Sequence, residues 1–182
     1  MTKIGVLVGS LRKGSFNRMV ANALEEVAPE GMSFTHIEYG DLPHFNQDLE
    51  DTPPEQWVRF RDEVKAVDAL LFVTPEYNRS IPGSFKNALD VGSRPYGQSV
   101  WGGKPGLVVS SSIGKPGAFG ANHHLRQVLS FLDVPLPGQP EVYIGEVAGL
   151  FDDSGKLTND GTREFFKNVM QTYAQWIARF KK

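Results

Sequence analysis

Three short stretches, residues 3–9 (KIGVLVG), 69–75 (ALLFVTP) and 105–112 (PGLVVSSS), are nearly continuous in apolar residues, and each gives way to a loop rich in Gly, Ser or Pro. A strand with one wet face alternates apolar and polar side chains, whereas a strand apolar along its length is buried on both faces. Such strands need a covering layer on each side. Parallel strands also need long crossover connections, which helices usually supply.

The intervening segments carry helical spacing. Val20, Ala23, Leu24 and Val27 fall at i, i+3, i+4 and i+7, ahead of a stop at Pro29-Glu30-Gly31. Trp57, Phe60, Val64 and Val67 mark a second helix with prolines at its start. The segment 83–92 (GSFKNALDVG) reads as a short third helix. Leu125, Val128, Leu129 and Leu132 repeat the first helix's spacing, and Phe166, Val169, Tyr173, Trp176 and Phe180 give a closing one. Residues 32–39 (MSFTHIEY) and 139–145 (QPEVYIG) complete a set of five strands alternating with five helices. The expected fold is a flavodoxin-like α/β three-layer sandwich: a parallel sheet in the order 2-1-3-4-5 with helices on both faces. A ligand then sits beyond the carboxyl ends of strands 1, 3 and 4.

At 182 residues the chain fits one domain, residues 1–182. Nineteen basic residues against 21 acidic ones give a net charge of −2 with no long block of either sign, which speaks against a nucleic-acid or anionic-membrane binder. The absence of cysteine removes disulfides, iron–sulfur clusters, thiolate zinc sites and a cysteine nucleophile, so redox chemistry must come from a bound cofactor. No leader pattern or membrane-length apolar run is evident, and a cytoplasmic protein is the default expectation.

The three strand-end loops carry the candidate chemistry. In residues 9–17 (GSLRKGSFN), backbone N–H groups converge at the positive end of a helix, Ser10, Ser15 and Asn17 offer side-chain hydrogen bonds, and Arg12 offers a charged planar fork. A phosphate monoester suits that set. Gly9 and Gly14 have Walker A spacing, but Ser15 and Phe16 stand where Lys and Ser/Thr are needed, and Leu11 breaks the dinucleotide G-x-G-x-x-G pattern. The alternative is a capping turn in which Ser15 or Asn17 satisfies only helix N–H groups.

In residues 74–90 (TPEYNRSIPGSFKNALD), Pro75 and Pro82 stiffen the second loop, Tyr77 offers an aromatic face, and Glu76 and Asn78 offer polar groups. A flat heteroaromatic ligand suits such a wall, and a plain surface turn is the alternative. Lys86 and Asp90, four apart on the next helix, read as a solvated pair. In the third loop, residues 110–124 (SSSIGKPGAFGANHH), Gly114, Gly117 and Gly120 allow close backbone approach. A flexible connection reads equally well. His123 and His124 are adjacent and cannot form an i, i+4 metal pair, and no metal site is expected. Neither a Ser-His-Asp set nor a G-x-S-x-G elbow is evident.

Taken together and in this order, GSLRKGSFN, TPEYNRSIPGSFKNALD and SSSIG resemble the NADPH-dependent FMN reductase family of flavodoxin-like proteins, in its quinone and chromate reductase branch. The resemblance implies that Ser10, Arg12, Ser15 and Asn17 hold the FMN phosphate, with Leu11, Lys13, Gly14 and Phe16 shaping the same loop. It implies that Pro75, Glu76, Tyr77 and Asn78 border the isoalloxazine ring, with Ser111 and Gly114 on the side of strand 4. Arg79 and Arg94 lie in loops expected near the flavin, as binders of NAD(P)H phosphates or an anionic acceptor, or simply as solvated arginines. The family further implies a homo-oligomer, dimer or tetramer, with Phe119 and residues 123–126 as contact candidates.

The implied chemistry is two-electron transfer from NADPH or NADH through FMN to a small-molecule acceptor in ping-pong fashion. Quinones, chromate, azo or nitro compounds and free flavin are the acceptor candidates. No side chain is needed as an obligatory acid or base. The rival is a flavodoxin-like electron carrier serving a protein partner. Such carriers are strongly acidic, which the near-neutral charge here does not match.

Overall fold

The computed structural model describes residues 1–180. Strands β1 (Thr2–Val8), β2 (Met32–His36), β3 (Ala69–Thr74), β4 (Gly106–Ser111) and β5 (Val142–Ile144) alternate with helices α1 (Phe16–Glu26), α2 (Glu55–Lys65), α3 (Gly83–Gly92), α4 (Phe119–Phe131) and α5 (Asp160–Ala178). All neighbouring strands pair in parallel in the order β2-β1-β3-β4-β5, with Val6 opposite Leu71 and Leu71 opposite Leu107 in the central ladder. The expected flavodoxin-like topology is the one observed.

Successive strand residues feed two separate cores, which explains the near-continuous apolar runs. Ile4, Val6, Leu71, Val73 and Val109 pack with Leu24, Phe166, Met170 and Tyr173 of α1 and α5. Leu7, Leu70, Phe72 and Val108 pack with Trp57, Phe60, Phe85 and Leu125 of α2, α3 and α4. The Tyr173 hydroxyl donates to the Leu70 carbonyl at 2.7 Å, and complete burial pushes its ionisation well above the ordinary phenol range.

Element boundaries differ from expectation in three places. β2 ends at His36 instead of reaching Tyr39: only Ile37 adds one further bond, to the Val6 carbonyl at 3.0 Å, before the Tyr39 ring turns inward onto Phe85. β5 is limited to Val142–Ile144. The third loop is shorter than its sequence suggested, because α4 starts at Phe119 and takes His123 and His124 into its first turns. Among the described residues, no helix is long and apolar enough to cross a membrane.

Candidate active site

β1 has β2 on one side and β3 on the other, so the connections leaving it and β3 diverge to opposite faces and open a crevice at the carboxyl ends. A cavity of about 300 Å³ occupies this position. The first loop contributes Ser10, Arg12, Ser15, Phe16 and Asn17; the second contributes Pro75, Glu76 and Tyr77; the third contributes Ser111. All three loops singled out in the sequence therefore meet at one cleft.

Its inner wall holds polar atoms that have no partner among the described residues. Asn17 is buried and its Oδ1 makes no hydrogen bond; Ser111 is fully buried and its Oγ makes none. An unmet buried polar atom costs about 1–3 kcal/mol, so such atoms at a cavity wall mark where a ligand's polar groups go. A hydroxyl and an amide can each donate or accept, which suits the phosphate, ribityl and ring heteroatoms of FMN.

Ser15 has a structural task and a place at the cleft. Its Oγ caps α1 by accepting from the Arg18 N–H at 3.3 Å, and the same residue lines the cleft. Arg12 is exposed, lies 5.4 Å from the centre of the Phe16 ring, and donates to the Gly14 carbonyl across the loop. Leu11 and Lys13 face a neighbouring cavity instead. Gly14 lines neither.

Glu76 ties the second loop to the third. Its carboxylate accepts from the Ala121 N–H at 3.0 Å, at the start of α4 where the N-cap residue Ala118 has no side chain able to do so, and pairs with Arg79 at 2.7 Å. Asn78 and Arg79 occupy the left-handed region at φ 52° and 67°, and Tyr77 and Ser80 pair across them, so this segment is a tight hairpin turn. Tyr77 is half exposed at the cleft rim, while the Arg79 side chain is 81% exposed. We predict that Glu76→Ala costs about 1–2 kcal/mol of unfolding free energy by removing the helix-end acceptor. Glu76→Gln keeps an acceptor and loses only the exposed ion pair, at about 0–1 kcal/mol. Urea titration of both variants reads the difference.

Besides Leu11, Lys13 and Gly14, four expected site residues do not line this cleft: Asn78 and Arg79 in the hairpin turn, Gly114 and Arg94. Gly114 turns its carbonyl to Ser112 Oγ at 3.0 Å and to the Glu146 N–H at 3.3 Å, fixing the third loop from within. Arg94 follows the C-terminal end of α3, a ten-residue helix and hence about 15 Å from the second loop. There Glu50 holds it at 2.7 Å over the Phe45 ring. Three lining residues were not anticipated: Ser112, Ile113 and Val147. Ser112 and Ile113 stood in the SSSIG stretch beside the residues chosen. Val147 follows β5 in a segment with no motif, so only the fold could place it.

Fold and cleft together define a flavodoxin-like protein with a phosphate-suited first loop and an aromatic-rimmed mouth. The NADPH-dependent FMN reductase model matches residues 2–149. A quinone reductase of Pseudomonas putida is 58% identical, covering 96% of this chain and 94% of that protein. A 2-hydroxy-1,4-benzoquinone reductase of a Burkholderia species is 46% identical, covering 96% of each. Among solved structures, the flavoenzyme NAD(P)H:(acceptor) oxidoreductase FerB of Paracoccus denitrificans superimposes with a TM-score of 0.93 at 38% identity, covering 99% of both chains. The chain belongs to the NADPH-dependent FMN reductase family. It is an oxidoreductase whose cofactors are FMN and NAD(P)H.

Proposed function

We propose that the protein reduces quinones and similar small acceptors at the expense of NAD(P)H, both substrates using one open cleft in turn. The observation that carries this reading is the cleft itself: unpartnered polar atoms on its inner wall at Asn17 and Ser111, and half-exposed Tyr77 with largely exposed Ile113 at its rim. The inner wall fits a permanently held cofactor, and the apolar rim fits flat molecules that come and go.

Bound FMN supplies the hydride and electron chemistry. In this reading Ser10, Arg12, Ser15 and Asn17 hold the phosphate end. Pro75, Glu76, Tyr77 and Ser111 orient the ring, and backbone N–H groups of residues 76–78 face charge on it. Arg79, tethered only to Glu76 and otherwise in solvent, offers a mobile cation for the phosphates of NAD(P)H or for an anionic acceptor such as chromate. Azo and nitro compounds and free flavin fit the same open rim. Arg94 takes part only if copies of the chain assemble, since its own cleft is out of reach. A dimer or tetramer built around exposed Phe119 and His123, which pack with part-buried Tyr143, is the assembly proposed.

The test is anaerobic. Mixing FMN-loaded protein with a small excess of NADPH is expected to bleach the flavin's visible absorption rapidly, and a quinone added next is expected to restore it. Alternating substrates then give parallel-line kinetics. Flavin that stays oxidised with both NADPH and NADH would overturn the reading in favour of an electron carrier.

A further inference from the structure

The turn that carries Tyr77 is a poor one by its own sequence. Positive φ at both central residues, with Tyr77 and Ser80 exchanging backbone hydrogen bonds at 2.8 and 3.0 Å, is the geometry that Asn-Gly favours. Here Asn78 is followed by Arg79, at φ 67°. A residue with a side chain in that region stores strain that its surroundings must offset.

Helix α4 supplies the restraint. Ala121 and His124 lie three apart and share a face. The Ala121 N–H donates to the Glu76 carboxylate at 3.0 Å, and His124 Nδ1 is hydrogen-bonded to the Ser80 hydroxyl at 2.7 Å. Beside them, a Cβ built on Gly120 falls 2.8 Å from Glu76 Oε2 and 3.4 Å from the Arg79 carbonyl oxygen, so helix and turn are in direct contact. The turn is gripped at residue 76 before it and at residue 80 after it. The same helix is anchored in the core by Asn122, fully buried, which donates to Ser110 Oγ at 3.1 Å, next in the chain to Ser111 of the cleft wall. One helix therefore sets Tyr77 at the rim against Ser111 on the wall.

We infer that His124 is a positioning residue for the electron acceptor: through Ser80 it clamps the Tyr77 turn, and the clamped rim favours narrow, one-ring quinones over wide ones. The inference rests on the reading that quinones enter past this rim. Neither His124 nor Ser80 lines the cleft, so both act through Tyr77. Without the clamp the strained turn relaxes and Tyr77 leaves its place. A one-ring quinone then loses the aromatic face it lies against, while a three-ring quinone gains room at the mouth of a cleft of about 300 Å³.

The test compares kcat/KM of the FMN-loaded protein for benzoquinone and for phenanthrenequinone. His124→Ala and Ser80→Ala are each expected to shift the ratio about three- to tenfold toward the wider quinone, the worth of one hydrogen bond, with FMN affinity within about twofold of the parent. The double variant should shift it no further than either single one, because both remove the same bond. His124→Asn, whose Oδ1 can take the place of Nδ1, should restore most of the parent's ratio. If His124→Ala loses its flavin, Ser80→Ala and His124→Asn carry the test. An unchanged ratio in both single variants overturns the clamp. So does a shift in His124→Ala alone, which would place the effect in another contact of His124, such as one between copies of the chain. Shifts that multiply in the double variant, or FMN affinity lost in step with the ratio in both, also overturn it. A parent protein that reduces neither quinone overturns the reading of the rim beneath it.

Discussion

Arg12→Ala is expected to weaken FMN binding by about 10- to 100-fold and to leave the unfolding free energy within about 0.5 kcal/mol. The magnitude follows from the chemistry of the pair: a hydrogen bond to a charged group is worth about 1.5–3 kcal/mol, and about 1.4 kcal/mol is tenfold in affinity. The small effect on folding follows from exposure. Arg12 sits on the surface, and the one hydrogen bond its side chain makes among the described residues goes to the Gly14 carbonyl, which water can take over. Titration of flavin-free protein with FMN and with riboflavin separates the arginine's charge from its packing. Riboflavin lacks the phosphate, so its affinity should change little in the variant. The FMN affinity of the parent protein should also fall with salt more steeply than that of Arg12→Ala, because one ion pair fewer remains to be screened. Equal loss of FMN and riboflavin would place the phosphate elsewhere.

The sheet was legible because every central strand is buried on both faces and says so in an unbroken apolar run. β2 and β5 were harder for the same physical reason in reverse. As edge strands of a parallel sheet they are partly wet, so Ile37 and Tyr39 look like strand residues when they are core residues of the following loop. The third loop looked longer than it is because Gly114, Gly117 and Gly120 read equally well as a flexible connection. What starts the helix there is the Glu76 carboxylate from the second loop, a partner 45 residues away that local pattern cannot see.

The site divides similarly. Ser10, Arg12, Ser15, Asn17 and Tyr77, singled out because phosphate and aromatic ligands demand particular side-chain types in a strand-end loop, and Ser111, singled out by the family resemblance, all line the one cleft. Arg94 shows the limit of that argument. A loop with an arginine and a proline looks the same at either end of a sheet, and only the direction of α3 tells that this one leaves the cleft. Glu76 lines the cleft as expected and also has a structural task that its sequence neighbourhood did not show. Its carboxylate binds the start of α4, so its contribution to the cleft is to hold Tyr77 and Ile113 in one frame.

The rigidity of that frame predicts the largest loss of stability. Gly117→Ala should cost about 2–4 kcal/mol, the sum of a left-handed backbone position and an overpacked contact. Gly117 has φ +60°, and a Cβ built on it falls 2.7 Å from the Tyr143 carbonyl carbon and 2.8 Å from the Ile144 nitrogen. These are atoms of β5 and cannot rotate aside as a side chain would. The Gly117 carbonyl is also fixed by the buried Ser110 hydroxyl at 2.8 Å, which Asn122 supports at 3.1 Å, so the loop cannot lift to make room. Gly14→Ala is the control, since a Cβ there meets nothing within 4 Å. Urea unfolding of the two flavin-free variants should show the loss at Gly117 alone. FMN titration should then show weakened binding in Gly117→Ala, because Ser112 of the cleft wall is bonded through its hydroxyl to Gly114 of the displaced loop. A Gly117→Ala protein as stable as its parent would mean that the third loop adapts, and that the cleft's rim is set by the flavin and not by the fold.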